Sequence, residues 1–159
     1  EINRANLSRV FGELMYLLEY RDREVPLAGD GRPFSIPANV RIIGTMNTAD
    51  RSIALVDHAL RRRFAFIPLR PKFEILREYH SRTGFPIENL INVLSKLNTQ
   101  IGDPNFEVGI SFFIRENLAQ DLGDIWEMEI EPYLEEYFFD QPGIVNEFRW
   151  AKVKGEILP

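Results

Sequence analysis

The chain has 159 residues, is 45% hydrophobic and 27% charged, and carries a net charge of -5 with no cysteine. This composition excludes a disordered chain, a disulfide scaffold and thiolate metal sites, and gives no support for a broad polyanion-binding face. No apolar run is long enough to cross a bilayer, and no charged segment leads into a signal-type stretch, so the expected setting is cytoplasmic with no membrane partner.

Taken in order, the chain opens on Glu1-Ile2-Asn3-Arg4-Ala5-Asn6. Leu7, Val10, Phe11, Leu14, Met15 and Leu18 then recur at three- and four-residue spacing, which predicts an amphipathic helix over residues 6–20 with Asn6 as its N-cap. Val25-Pro26-Leu27 and Pro33-Phe34-Ser35-Ile36 flank Ala28-Gly29-Asp30-Gly31, a β-hairpin signal in which Asp-Gly supplies the positive φ angles of the turn. Residues 40–46 are β-branched and nearly all apolar, as a buried parallel strand requires. A helix over residues 52–62 follows, and Phe64-Ala65-Phe66-Ile67-Pro68 reads as a short strand stopped by proline.

Beyond residue 70 the pattern becomes helical throughout. Helices are expected near residues 73–81, 87–101, 112–121, 125–138 and 144–152, separated by Gly, Pro and Asp breaks. The expected architecture is α/β followed by all-α, divided into residues 1–70 and 71–159. The chain has no initiator Met and begins inside what reads as a motif, so it is expected to be a segment of something larger.

Two clusters carry chemistry. Met46-Asn47-Thr48-Ala49-Asp50-Arg51-Ser52 ends the apolar strand on a polar tip, and Ala59-Leu60-Arg61-Arg62-Arg63-Phe64 ends the next helix on three arginines. An amide at a strand tip can orient water or sense phosphate. A planar guanidinium binds phosphate oxygens in two places.

With the opening Glu1-Ile2-Asn3-Arg4-Ala5 and the hairpin, these strings resemble the second half of an AAA+ module, a partial P-loop core of strands with flanking helices and a β-hairpin, plus a helical lid. Within AAA+ they are most similar to the McrB-like GTPases of modified-cytosine-specific restriction systems. Gly109-Ile110-Ser111-Phe112-Phe113 and Pro132-Tyr133-Leu134-Glu135-Glu136-Tyr137-Phe138 extend the likeness into the helical part.

The resemblance implies catalytic roles for Glu1, Asn47, Arg62 and Arg63. Glu1 would be the Walker B acid that polarises water beside Mg²⁺ and serves the metal. Asn47 would be the sensor-1 amide, and Arg62 and Arg63 the arginine fingers that reach a neighbouring subunit. Asp50 and Arg51 would be nucleotide-binding. The implied cofactors are GTP, with ATP as the alternative, and Mg²⁺. The implied partners are further copies in a ring, an McrC-like nuclease, and DNA held through other domains. No Gly-x-x-x-x-Gly-Lys-Ser/Thr string occurs in the chain, so this segment alone is expected to be inactive.

The plainer alternatives are specific. Asp50 could simply cap the following helix, Asn47 could be a turn residue, and one of the three arginines could complement a helix dipole. Glu131, Glu135 and Glu136 read as a solvated helix face, and Trp126, Phe138 and Phe139 as core. His58 and His80 stand alone, without a second ligand at metal spacing. Rival readings of the whole are a MoxR-like AAA+ ATPase chaperone and a non-catalytic AAA+-derived scaffold.

Overall fold

The computed structural model describes residues 2–4, 6–47 and 61–158. The chain divides into two compact units, Glu1–Pro68 and Leu69–Pro159.

In the first unit a single 3-10 turn, Ile2–Arg4, leads into α1 (Leu7–Phe11) and α2 (Leu14–Glu19). Asn6 caps α1 as the sequence indicates: the Arg9 amide donates to its Oδ1 at 3.1 Å. The periodicity points to one helix, but the structure has two, because Gly12 sits at φ +46 and turns the chain between them. A residue without a Cβ takes that conformation at little cost and closes a helix readily.

Two short strands, β1 (Val25–Pro26) and β2 (Pro33–Phe34), pair antiparallel with Val25 opposite Phe34. The turn between them needs positive φ at Gly29 and Gly31, not at Asp30. Asp30 instead accepts from the Arg32 amide and pairs with its guanidinium, and these contacts hold its carboxyl below the usual carboxylate range. Arg21 then ties the end of α2 to the next segment by donating to the Pro37 and Val40 carbonyls at 3.2 and 2.8 Å.

Residues 40–46 and 64–68 do not form the strands their composition indicates. Ile43 is 90% exposed and Ile67 79%. A β-branched apolar run becomes a buried strand only when neighbouring strands take up its backbone groups and side chains. Among the described residues no strand pairs with either segment.

The second unit is all helix. Its elements are α3 (Phe73–Thr83), α4 (Glu88–Ile101), α5 (Leu118–Ile125), α6 (Glu131–Tyr137), α7 (Pro142–Glu147) and α8 (Trp150–Ile157). Gly84 and Gly102 close α3 and α4 in the left-handed conformation. A helix over 112–121 is replaced by a 3-10 turn at Ser111–Phe113, with α5 starting only at Leu118. Between α5 and α6 the helix widens into a π turn, Trp126–Ile130, where the Glu131 amide reaches back five residues to the Trp126 carbonyl. Pro132 follows immediately; it has no amide for a regular helical bond, and a wider turn relieves its clash with the preceding turn.

Leu76, Leu90, Leu94, Leu97, Leu118, Leu122, Trp126 and Leu134 are fully buried in one continuous core. The Trp126 indole donates to the Phe148 carbonyl at 2.7 Å, which satisfies its polar edge inside that core. His80 is buried as well, between the Thr83 hydroxyl and the Phe113 carbonyl, each 2.8 Å from a ring nitrogen. Because a carbonyl only accepts, Nε2 carries the proton. Phe139 departs from its expected place in the core and is 81% exposed.

Candidate functional site

Glu1, Asp50 and Arg51 lie outside the described residues, as does nearly all of the helix expected over residues 52–62, so the site is built from the described residues of the first unit. Three short segments carry the motifs, and each has an apolar residue beside its polar one: Ile2 after Glu1, Met46 before Asn47, Phe64 after Arg63. Ile2, Met46 and Phe64 belong to one hydrophobic cluster with Phe11, Met15 and Leu18 of the α1–α2 pair. Met46 and Phe64 hold the backbone beside Asn47 and Arg63 against the same small platform as Ile2. Segments that are 44 and 18 residues apart, counting Ile2 to Met46 and Met46 to Phe64, thereby converge.

Closer contacts refine this convergence. The Ile2 amide donates to the Thr45 carbonyl at 2.9 Å, laying the opening motif beside the segment that ends on Asn47. Gly44 makes room for it: a Cβ there would meet the Ile2 Cδ1 at 2.8 Å. Asn47 itself is exposed, immediately after half-buried Met46.

The three arginines part company. The Arg61 guanidinium lies over the Phe66 ring, 5.9 Å from its centroid. Arg63 donates to the Glu19 carboxylate at the end of α2, 2.5 Å away, and only 15% of its side chain is exposed. Phe64 packs against Phe11 of α1 with ring centroids 6.2 Å apart. Arg62 is exposed, and among the described residues it has no ion-pair partner. Glu19 escapes sequence reasoning altogether. It is one acidic residue at the end of an amphipathic helix, and no local pattern ties it to an arginine 44 positions later.

The second unit holds the lid strings in place. Asn98 grips the Val108 backbone from both sides, its Oδ1 accepting from the amide at 2.8 Å and its Nδ2 donating to the carbonyl at 3.3 Å. Tyr133 donates to the Phe106 carbonyl and Tyr137 to the Ile101 carbonyl. The loop that leads to Gly109-Ile110-Ser111 is thus fixed to α4 and α6. Glu131 and Glu135, expected on a solvated face, instead clamp Arg149 at 2.5 and 2.6 Å. Glu131 also accepts from the Trp150 amide at 2.7 Å, capping α8 from outside. A cleft of about 320 Å³ in this unit is lined by Phe73, Ser95, Asn98, Thr99 and Glu107 among others. Among the described residues no group of three or more His, Asp or Glu side chains is placed to hold a metal ion. The residues present fit the sensing side of a nucleotide site, an amide and cations, and do not include a loop that cradles phosphates.

Among the described residues, an amide-tipped segment and an arginine run meet on one platform, and a helical unit follows in the sequence. Residues 1–64 match the AAA domain of the dynein-related subfamily. Residues 89–146 match the alpha-helical lid domain of McrB. The chain is also 42% identical over 167 aligned residues to the EcoKMcrB subunit of the type IV methyl-directed restriction enzyme of Escherichia coli strain K12. That alignment covers 89% of this chain and 36% of the relative, so the chain spans about a third of that protein's length. Within AAA+ proteins the chain is McrB-like. Among the described residues no helix is long and apolar enough to cross a membrane.

Proposed function

We propose that this chain is the sensor and arginine-run part of a GTP-hydrolysing motor, acting in a cytoplasmic restriction system. In the intact parent, GTP would be hydrolysed with Mg²⁺ in a ring of identical subunits. Turnover would drive DNA translocation and cleavage with an McrC-like nuclease, DNA being held by other domains. The observation that supports this reading is the shared cluster of Ile2, Met46 and Phe64, which draws together the described segments that carry Asn47 and the arginine run. Phosphoryl transfer asks a protein for positioning and charge neutralisation more than for covalent chemistry, and a platform of rigid anchors suits that demand.

Each residue has a role in this scheme. Asn47 orients the attacking water, and Glu1 polarises it and serves the metal. Asp50 and Arg51 contact the nucleotide. Arg62 and Arg63 belong to the run that answers the phosphate charge bound on a neighbouring subunit. Bound Mg²⁺ would neutralise phosphate charge during the reaction.

Two measurements test the reading. The purified 159-residue chain should bind neither GTP nor ATP in the micromolar range by calorimetry, because it has no phosphate-cradling loop. In the parent, Asn47→Ala should lower kcat for GTP by on the order of 10²-fold with nucleotide Kd retained, as expected for a group that acts in the transition state. An unchanged kcat with weakened binding would assign Asn47 to ground-state recognition and remove the main support for hydrolysis. Preferred turnover of ATP over GTP would favour the chaperone-type rival.

A further inference from the structure

The three guanidinium groups of the arginine run have different surroundings: Arg61 and Arg62 are both exposed, whereas Arg63 is half-buried. Arg61 is occupied by the Phe66 ring. Arg63 is drawn inward to Glu19, and its neighbour Phe64 is seated on Phe11. Two consecutive residues are therefore tied to two successive helices, Phe64 to α1 and Arg63 to α2. Tethers at adjacent positions fix both the path and the twist of the backbone there, which sets the direction of the residue before them. That residue is Arg62, which is exposed.

The Arg63–Glu19 contact stabilises little by itself, since half of the Glu19 side chain is exposed and pairs of this kind contribute on the order of 1 kcal/mol or less. Its consequence is geometric. An unanchored arginine samples many rotamers, while a pair joined by a short charge-assisted hydrogen bond holds one.

Building on the hydrolytic reading above, we propose that Glu19 is a positioning residue: it anchors Arg63 so that Arg62 alone presents its guanidinium to a phosphate group on a neighbouring subunit. The three arginines then have three distinct duties, which a reading of the run as interchangeable fingers does not anticipate.

The test uses the full-length parent and two independent readouts. The first is modification by phenylglyoxal followed by peptide mass spectrometry. In the unaltered protein, without nucleotide, Arg62 is modified readily and Arg63 is protected; in Glu19→Ala, Arg63 becomes reactive. The second is steady-state turnover. Glu19→Ala should lower kcat by about tenfold or more with KM little changed, since a misplacement of about 1 Å can cost on the order of 10²-fold. Glu19→Gln, whose amide oxygen still accepts from a guanidinium, should recover most of the loss. The double variant Glu19→Ala/Arg63→Ala should be no worse than Arg63→Ala alone, because Glu19 acts through Arg63. Arg62→Ala should cost more than either.

Equal reactivity of Arg63 before and after Glu19→Ala overturns the proposal, as do additive losses in the double variant. A rise in kcat on removing Glu19 overturns it as well, since it would show that the pair sequesters Arg63. If the unaltered parent hydrolyses no nucleotide, the hydrolytic reading fails, while the labelling experiment still decides whether Glu19 holds Arg63.

Discussion

The two units of this chain use similar amounts of apolar sequence to opposite effect. In the second, nearly every periodic apolar position ends up buried, from Leu76 through Trp126 to Ile157. In the first, the buried apolar side chains among the described residues are Leu17 and Ile36, while Val40, Ile42, Ile43, Phe66 and Ile67 face outward. The contrast follows from how each element satisfies its backbone. A helix completes its own hydrogen bonds, so an amphipathic set of helices needs only its apolar stripes to meet. A strand completes them only through neighbours, and an apolar stretch without them stays extended and exposed. Among the described residues of the first unit, the motif neighbours Ile2, Met46 and Phe64 pack with Phe11, Met15 and Leu18 in one cluster.

The largest effect that would sharpen this contrast is expected at Trp126. It is fully buried, lies 6.4 Å from Phe113 and 6.2 Å from Trp150 between ring centroids, and makes a buried hydrogen bond to the Phe148 carbonyl. Trp126→Ala should destabilise the helical unit by about 3–5 kcal/mol, seen as a lowered melting midpoint of the far-ultraviolet helical signal. A shift of less than about 1 kcal/mol would mean that the lid core is far more plastic than its packing indicates.

A smaller and differently placed effect is expected at Gly44 in the first unit. A Cβ there falls 2.8 Å from the Ile2 Cδ1 and 3.1 Å from its Cγ2. Gly44→Val should displace Ile2 at a cost of about 1–3 kcal/mol. The loss should appear in turnover of the intact parent and leave the melting of the helical unit unchanged. If helical melting moved and turnover did not, the division of labour between the two units would be wrong.

These same residues show what could be read from sequence and what could not. The Asn6 cap, the hairpin and the helical character of the second unit are local in origin: a side chain beside its own helix end, a glycine-containing turn, a 3.6-residue period. They were legible for that reason. The break at Gly12, the π turn before Pro132 and the late start of α5 were visible only as single Gly, Pro and Asn residues within periodic stretches, and periodicity outweighs such marks. Composition indicates strands at 40–46 and 64–68, but it reports what a segment would bury and not whether partners are present. Of the candidate site, the motif strings point to Glu1, Asn47, Asp50, Arg51, Arg62 and Arg63, of which Asn47, Arg62 and Arg63 lie among the described residues. The contacts that organise them, Ile2 to Thr45 and Glu19 to Arg63, join residues 43 and 44 positions apart and leave no periodic trace. The clamp of Glu131 and Glu135 on Arg149 leaves no trace in the sequence for the same reason, since an acidic helix face looks the same solvated or paired.

The smallest expected effect concerns pH and tests whether the second unit's loop is held by the tyrosines of α6. The Tyr133 hydroxyl donates to the Phe106 carbonyl, and its ring stacks on Tyr137. Burial, reinforced by the neighbouring Tyr137, Asp103 and Glu136, pushes its pKa up to about 12 from an ordinary value of 10.0. A raised pKa means that the folded state favours the protonated phenol. The associated stability is fully present below about pH 10, where the phenol is protonated in both folded and unfolded chains. As pH rises from about 10 towards 12 the unfolded chain gives up this proton first, and that stability is progressively lost. Tyr133→Phe removes both the hydrogen bond and the titration. It should cost roughly 0.5–1.5 kcal/mol at neutral pH and make the melting midpoint of the helical unit less sensitive to pH between about 10 and 12 than in the unaltered chain. Parallel pH dependence in the two proteins would place the alkaline sensitivity elsewhere and leave Asn98 as the main tether of the loop.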